Sequence, residues 1–324
     1  MAIRFPALAL VALGLAGCLT GCARGIAGTP VPGAPGVAAP MSASKELGDF
    51  STIDPCRMVD VPGLPANLRA EPEPAESLDY CALQVNSGGT NIQLDVGALI
   101  YDQDDSDEIG PQSLPSGLAL YTGKLQDTSC TAYLKFSETI EMTSVAYAND
   151  GDGTSDLCTT AATVARNVSG VLAKGPVPHR GFPDNSFAKI DPCTLVDPAT
   201  LTPLGLNSAD KKVYPARHEC DWDSGGGSDL SIYLTFIVGP PPVAQANVST
   251  EEPISGRNSV EFSTTDDSAA ECWIDTGGVA FGAQQNLVEI AEVYVSDTNV
   301  SADTACQLGT TLATAVWPKL PTTS

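Results

Sequence analysis

The residues that could do chemistry in this 324-residue chain are cysteines and carboxylates; histidine is almost missing. There are 10 cysteines, 39 Asp plus Glu, 16 Lys plus Arg, and two histidines, His179 and His218. Imidazole is the usual proton carrier and metal ligand near neutral pH, so little is available for acid–base or zinc chemistry. No Cys-x-x-Cys occurs, which removes the commonest zinc-knuckle and thioredoxin spacings. No Gly-x-Ser-x-Gly elbow occurs. His218 stands two residues before Cys220, and His179 lies in a Pro/Gly-rich stretch, so both read as packing or surface histidines rather than bases. Gly225-Gly226-Gly227 reads as a turn ahead of a strand, because a phosphate cradle needs a helix N-terminus directly after it.

Two acidic stretches are candidates for a cation. Tyr101 to Glu108, YDQDDSDE, is the denser, and like charges at that density prefer water. Asn149 to Asp156, NDGDGTSD, sets Asp150, Asp152 and Asp156 among glycines, the mixture a calcium loop needs. It lacks the EF-hand spacing and a following bidentate Glu, so a loop capping the next helix is expected. The expectation is therefore no catalytic residue, no metal site and no cofactor. The net charge of −23 repels phosphate backbones and anionic bilayers, which argues against nucleic acid and against electrostatic docking on a membrane. Solubility is the plainest use of such a charge; a cationic partner is the other.

The cysteines are ordered. Beyond residue 50 they form two sets of four, Cys56, Cys81, Cys130, Cys158 and Cys193, Cys220, Cys272, Cys306, offset by 137, 139, 142 and 148 residues. Their surroundings repeat: Ile53-Asp54-Pro55-Cys56 returns as Ile190-Asp191-Pro192-Cys193, and Asp156-Leu157-Cys158 answers Asp303-Thr304-Ala305-Cys306. A tandem duplication follows. Four cysteines allow three pairings within each copy. First with second and third with fourth is favoured, because it ties an opening helix to an early strand and the closing helix to a late one. In an oxidising compartment such bonds persist.

The elements that position them can be read coarsely. Asp-Pro at 54–55 and 191–192 suits a helix start, with Asp as cap and Pro in the first turn. Leu230 to Val238 and Asn91 to Ile100 read as strands. So do Cys272 to Asp275 with Thr131 to Phe136, and Asn286 to Val295 with Thr139 to Tyr147. Leu157, Ala161, Val164 and Val168 form one apolar stripe, as do Ala305, Leu308, Leu312 and Ala315, so each copy closes on a helix. The fold class expected is α+β. It comprises two tandem repeats, each a mainly antiparallel sheet with an opening helix and a C-terminal helix packed on it, with two disulfides per repeat. Pro62 and Pro65 interrupt the first opening, and Arg69 to Glu76 (RAEPEPAE) is expected to be a loop. The first copy should have the smaller core.

The N-terminus has the grammar of an export signal, Arg4 followed by an uncharged apolar run from Phe5 to Gly21. Leu15-Ala16-Gly17-Cys18 and Leu19-Thr20-Gly21-Cys22 both resemble the lipobox of bacterial lipoproteins. That resemblance implies a diacylglyceryl thioether and acylation, palmitate included, on the new N-terminal cysteine. Cys22 is favoured, since its use leaves an even set of eight other cysteines. Several acyl chains anchor stably where one does not. The expected organisation is a signal peptide at 1–21, a disordered tether at 22–50, a diverged repeat domain at 51–173, a linker at 174–185 and a second repeat domain at 186–321.

The Asp-Pro-Cys opening, Leu201-Thr202-Pro203-Leu204-Gly205-Leu206, Cys220-x-Trp222 and the Cys306-x-Leu308-x₃-Leu312-Ala313 ending resemble a domain of unknown function. It is found in actinobacterial, especially mycobacterial and nocardial, Lpr-type lipoproteins. The resemblance covers the second copy and implies location in the cell envelope, lipid-anchored on the extracytoplasmic side of the membrane. It brings no catalytic residues. The function expected is a non-catalytic module, not an enzyme, that binds an envelope ligand or protein. The alternative is an extracytoplasmic hydrolase with an unrecognised site.

Overall fold

Strict alternation of apolar and polar residues dominates both halves and produces two antiparallel sheets. The computed structural model describes residues 41–322 except 88, 103–107, 127, 138, 149–155, 225–229, 266–268 and 283–285. The first sheet contains β1 (Leu68–Pro72), β2 (Cys81–Ser87), β3 (Thr90–Tyr101), β4 (Ile109–Ser113), β5 (Ala119–Thr122), β6 (Ser129–Lys135) and β7 (Ile140–Ala148). The second contains β8 (Lys211–Val213), β9 (Glu219–Asp223), β10 (Leu230–Gly239), β11 (Ser249–Ile254), β12 (Arg257–Thr265), β13 (Ala270–Ala280) and β14 (Val288–Asp297). Their spatial orders are β1-β2-β3-β7-β6-β5-β4 and β8-β9-β10-β14-β13-β12-β11. The class is α+β, and both sheets follow the same path.

One helix lies on each sheet. α2 (Leu157–Leu172) buries Leu157, Ala161, Val164, Ala165, Val168 and Leu172 against β6 and β7. α4 (Ala302–Val316) starts at Ser301, whose hydroxyl accepts from Thr304 N at 3.3 Å, and buries Ala305, Leu312, Ala313 and Val316 against β13 and β14. A Cβ on Gly309 would sit 3.0 Å from Ile274 Cδ1, so glycine lets α4 approach the sheet closely. Four disulfides join Cys56 to Cys81, Cys130 to Cys158, Cys193 to Cys220 and Cys272 to Cys306.

Several expectations are corrected. The Asp-Pro openings are short 3-10 turns, Pro55–Met58 and Pro192–Thr194, not helices. The second is followed by a four-residue helix, α3 (Pro198–Leu201), with Asp197 and Pro198 at its start. Prolines at each start and soon after leave too few consecutive N–H donors for a longer helix. The first turn packs on a bulge in β3, where Gly97 has φ +108° and a Cβ would lie 2.9 Å from Pro55 Cβ. The tether does not reach residue 50. α1 (Ala43–Leu47), capped by Ser42, buries Ala43 and Leu47 fully in the first core. Leu68–Pro72 is an edge strand rather than a loop, pairing with Leu83 to Ser87; proline is tolerated at an edge. With Ala43 and Leu47 recruited, the two cores have comparable memberships. They differ in aromatics: Trp222, Trp317, Phe187 and Phe236 are fully buried in the second, where the first buries Phe136 alone.

The linker expected at 174–185 is packed. Asp54 N donates to Pro178 O, and Arg180 N to Thr52 O, at 2.9 and 2.6 Å. His179 Nδ1 lies 2.8 Å from Thr52 Oγ1. Val177 belongs to the first core, and Leu78, from the first half, to the second. Ala38–Ser324 is accordingly one compact unit.

Candidate functional site

Three places bring polar chemistry together among the described residues: the joint between the halves, a lysine cluster on the first sheet, and the face of the second sheet opposite α4.

The joint is built by residues 76–79, which run beside β10 past the end of β9. Val238 N donates to Glu76 O at 3.2 Å, and Ser77 bridges Ile237. This places Asp79 Oδ1 2.5 Å from His218 Nδ1, while His218 Nε2 lies 3.1 Å from Ala188 O. A carbonyl only accepts, so Nε2 carries a proton. The Asp79 carboxylate holds a second proton on Nδ1; burial is the largest single influence and pulls the His218 pKa down, but the Asp79 charge and hydrogen bond, the Ala188 carbonyl and the Glu289 charge together raise it. His218 is therefore a buried imidazolium with both N–H groups occupied, a cross-brace rather than a base. Glu289 beside it accepts from Ser186 Oγ and Phe187 N, both at 2.6 Å. A cleft of about 670 Å³ opens nearby between Asp54, Glu73, Arg180, Phe182, Phe281 and Glu289. In its wall Arg180 Nη2 reaches Asp54 at 3.1 Å and the guanidinium stacks 5.0 Å over Phe281, while Arg180 Nη1 is buried without a hydrogen-bond partner among the described residues.

On the first sheet Lys135 Nζ gathers Asp102, Glu108 and Glu141 at 3.2, 2.8 and 2.7 Å. The ends of the acidic run 101–108 are thereby pinned to lysine; its middle lies outside the described residues. So do Cys22, residues 149–155 with Asp150 and Asp152, and Gly225 to Gly227. Asp156 precedes α2 and makes no side-chain cap; the rest of the expected capping loop lies outside the described residues. The one metal-like grouping among the described residues, Glu261 with Cys272 and Cys306, is spent on a disulfide.

The face of the second sheet is different. Trp273, Tyr294 and Tyr233 stand directly opposite one another on β13, β14 and β10, and Phe262 on β12 extends the row. Ring centroids are 5.1, 4.9 and 5.4 Å apart along Phe262, Trp273, Tyr294 and Tyr233. Two residues along each strand, on the same face, the parallel row reads Val260, Asp275, Glu292, Thr235, Glu219. A shallow depression of about 280 Å³ is lined by Glu219, Tyr233, Thr235, Trp273, Glu292 and Tyr294. The ring and sheet atoms strip water from the carboxylates. Burial pushes Glu292 up to about 7, with Asp275 adding repulsion, and Asp275 up to about 6. Burial, then the charge of Asp221, pushes Glu219 up to about 8. Among the described residues no basic side chain forms an ion pair with Glu292, Asp275 or Glu219. Asp221 is occupied otherwise, accepting from Tyr214 Oη at 2.6 Å.

Sequence reading places Tyr233 and Thr235, and Glu292 and Tyr294, on one face of their strands but does not single them out. The missing information is register: only pairing across β13, β14, β10 and β9 turns four separate alternations into one row of rings and one of acids. The eight disulfide cysteines lie in the two cores or packed against them, on the α-helical side.

No curated protein and no solved structure matches this chain. Residues 173–319, the second sheet and α4 with the segment leading into them, contain a domain matching the family described as protein of unknown function (DUF3558).

Proposed function

We propose that the chain is a lipid-anchored protein of the cell envelope whose two duplicated halves form a non-catalytic binding module, with the outer face of the second sheet as its ligand surface. The observation that carries the reading is the aromatic row beside unpaired carboxylates, centred on Trp273, Tyr294 and Glu292. Half-buried rings in register give a ligand flat contact area at little entropic cost, while desolvated acids supply polarity at chosen points. The common strand path and the matching cysteine pairs support duplication. The signal-like N-terminus and Cys22 support lipid anchoring outside the cytoplasm. An oxidising compartment agrees with four disulfides.

The test is native mass spectrometry of the protein taken from its own envelope, beside the Trp273→Ala, Tyr294→Ala double variant. A bound mass present on the first and absent from the second is expected. Identical spectra would remove the sheet face as the ligand surface. A second reading, hydrolysis, has one observation in its favour: Glu219 and Glu292 face the same depression with pKa values of about 8 and 7, suited to proton transfer near neutrality. It would require the bound mass to be cleaved by the protein and left intact by Glu292→Gln.

A further inference from the structure

The binding-face reading can be taken to a ligand class. The depression is lined by the rings of Tyr233, Trp273 and Tyr294 beside the more deeply buried carboxylates of Glu219 and Glu292, neither of which forms an ion pair with a described ammonium or guanidinium. Ring faces carry negative electrostatic potential and attract a cation within about 6 Å. A carboxylate beside them acts in a medium of reduced dielectric, where its pull on a cation is stronger than in water. Elsewhere the same chemistry is already closed internally: Lys135 sits 4.5 Å over Tyr121 with its three carboxylates, and Arg180 lies over Phe281 with Asp54. In both, a cation of the chain occupies rings plus acid. On the outer face of the second sheet Lys212 closes one end in the same way, 4.8 Å over Tyr214 and opposite Asp221, with its charge also acting on Glu219, whereas no described cation pairs with Glu292 beside Trp273 and Tyr294. A divalent metal fits poorly, since it wants about six or more oxygens rather than rings.

We propose that this depression binds a small organic monocation, an alkylated ammonium group seated on the rings of Trp273, Tyr294 and Tyr233 with Glu292 and Glu219 as its counter-charges. The inference rests on the binding-face reading and names the ligand class of that same site. The dimensions agree: about 280 Å³ admits a quaternary ammonium head but not a folded partner. Proton linkage follows. The groups around Glu292 are Asp275 on β13 and Thr235 on β10 directly opposite, with Tyr233, Tyr294, Trp273 and Glu219 lining the same depression; Asp221 acts on Glu219, and Lys212 on β8, opposite Asp221 on the same face, opposes it there. Except for Lys212 these are acids or neutral side chains, so the carboxyl is held protonated into the neutral range. The cation favours the ionised form, so its binding expels a proton and tightens as pH rises through about 7.

The experiment titrates the full chain in detergent with tetramethylammonium chloride, read by isothermal calorimetry and tryptophan fluorescence. Sodium chloride and the neutral isostere tert-butanol serve as controls. Trp222 and Trp317 are buried in the core, so Trp273 is the reporter. Expected are saturable binding of tetramethylammonium and none of tert-butanol, with affinity at least fivefold tighter at pH 8.5 than at pH 6. Glu292→Gln should weaken binding about tenfold, as loss of one desolvated counter-charge would. Trp273→Ala should abolish it and Trp273→Phe retain it, with a single cooperative thermal transition confirming that each variant folds. Equal response to tert-butanol, or indifference to Glu292→Gln and to pH, overturns the proposal. A neutral oligosaccharide that quenches Trp273 where tetramethylammonium does not also overturns it, yet leaves the binding face standing. No bound envelope mass in the native spectra would remove the face itself.

Discussion

Replacing Glu292 by glutamine should make the protein more stable, and the gain should depend on pH. Burial beside Asp275 raises the Glu292 pKa from 4.5 to about 7. A carboxyl whose folded pKa is raised contributes stability that is full below its unfolded pKa and is lost as pH climbs through the folded value. At 1.36 kcal/mol per unit, ionising Glu292 costs the folded state about 3 kcal/mol at pH 8 and about 1 kcal/mol at pH 5. Glutamine keeps the shape and never ionises. Glu292→Gln should therefore gain about 2 kcal/mol more at pH 8 than at pH 5, a widening of the Tm gap by about 4–8 °C for a unit of this size. Circular dichroism melts of wild type and variant at the two pH values measure it. A gap that does not widen with pH, or a variant less stable at pH 8, would refute the claim that this acid is buried without a counter-charge.

Three other outcomes are expected. Asp79→Asn leaves the buried His218 imidazolium without its carboxylate and should cost about 3 kcal/mol in urea unfolding at pH 6. The wild-type link is lost only as pH rises through the elevated His218 pKa, so the cost should shrink in alkaline buffer; a cost below about 1 kcal/mol at pH 6 would mean the cross-brace is idle. Leu47→Ala should destabilise the chain by about 2–5 kcal/mol, because Leu47 is fully buried in the first core; a neutral effect would return α1 to the tether. Cys22→Ala should release the protein from the membrane fraction while Cys18→Ala does not, and fractionation showing the reverse would move the lipid to Cys18.

The sequence by itself determined the local elements that repeat with short periods. Alternation in Leu230 to Val238 and Asn286 to Val295 specifies strands, and the four-three-four stripe of Leu157 to Val168 specifies a helix. The spacing and context of eight cysteines confined the partners to one half and favoured, among three pairings in each, the one the structure contains, with separations of 25–34 residues. Residues without a period of their own were less legible. Ser42 to Leu47 is too short for a helical stripe, and becomes a helix because the first core buries Ala43 and Leu47. The openings at Pro55 and Pro192 look like helix starts locally, and nothing local says that one turn is all that forms.

Only the tertiary structure decided the two polar sites. His218 and Asp79 are 139 positions apart, and they meet because residues 76–79 pair with the far end of β10. The aromatic row depends on the registers of three strand pairs at once. A slip of one residue in any of them would turn its rings to the core and its leucines and valines to water. Sequence states which residues share a face of one strand; the hydrophobic cost of exposing the other face, summed over the whole sheet against α4, sets which neighbours they meet. That sum brings Trp273, Tyr294, Tyr233, Glu292 and Glu219 to one depression.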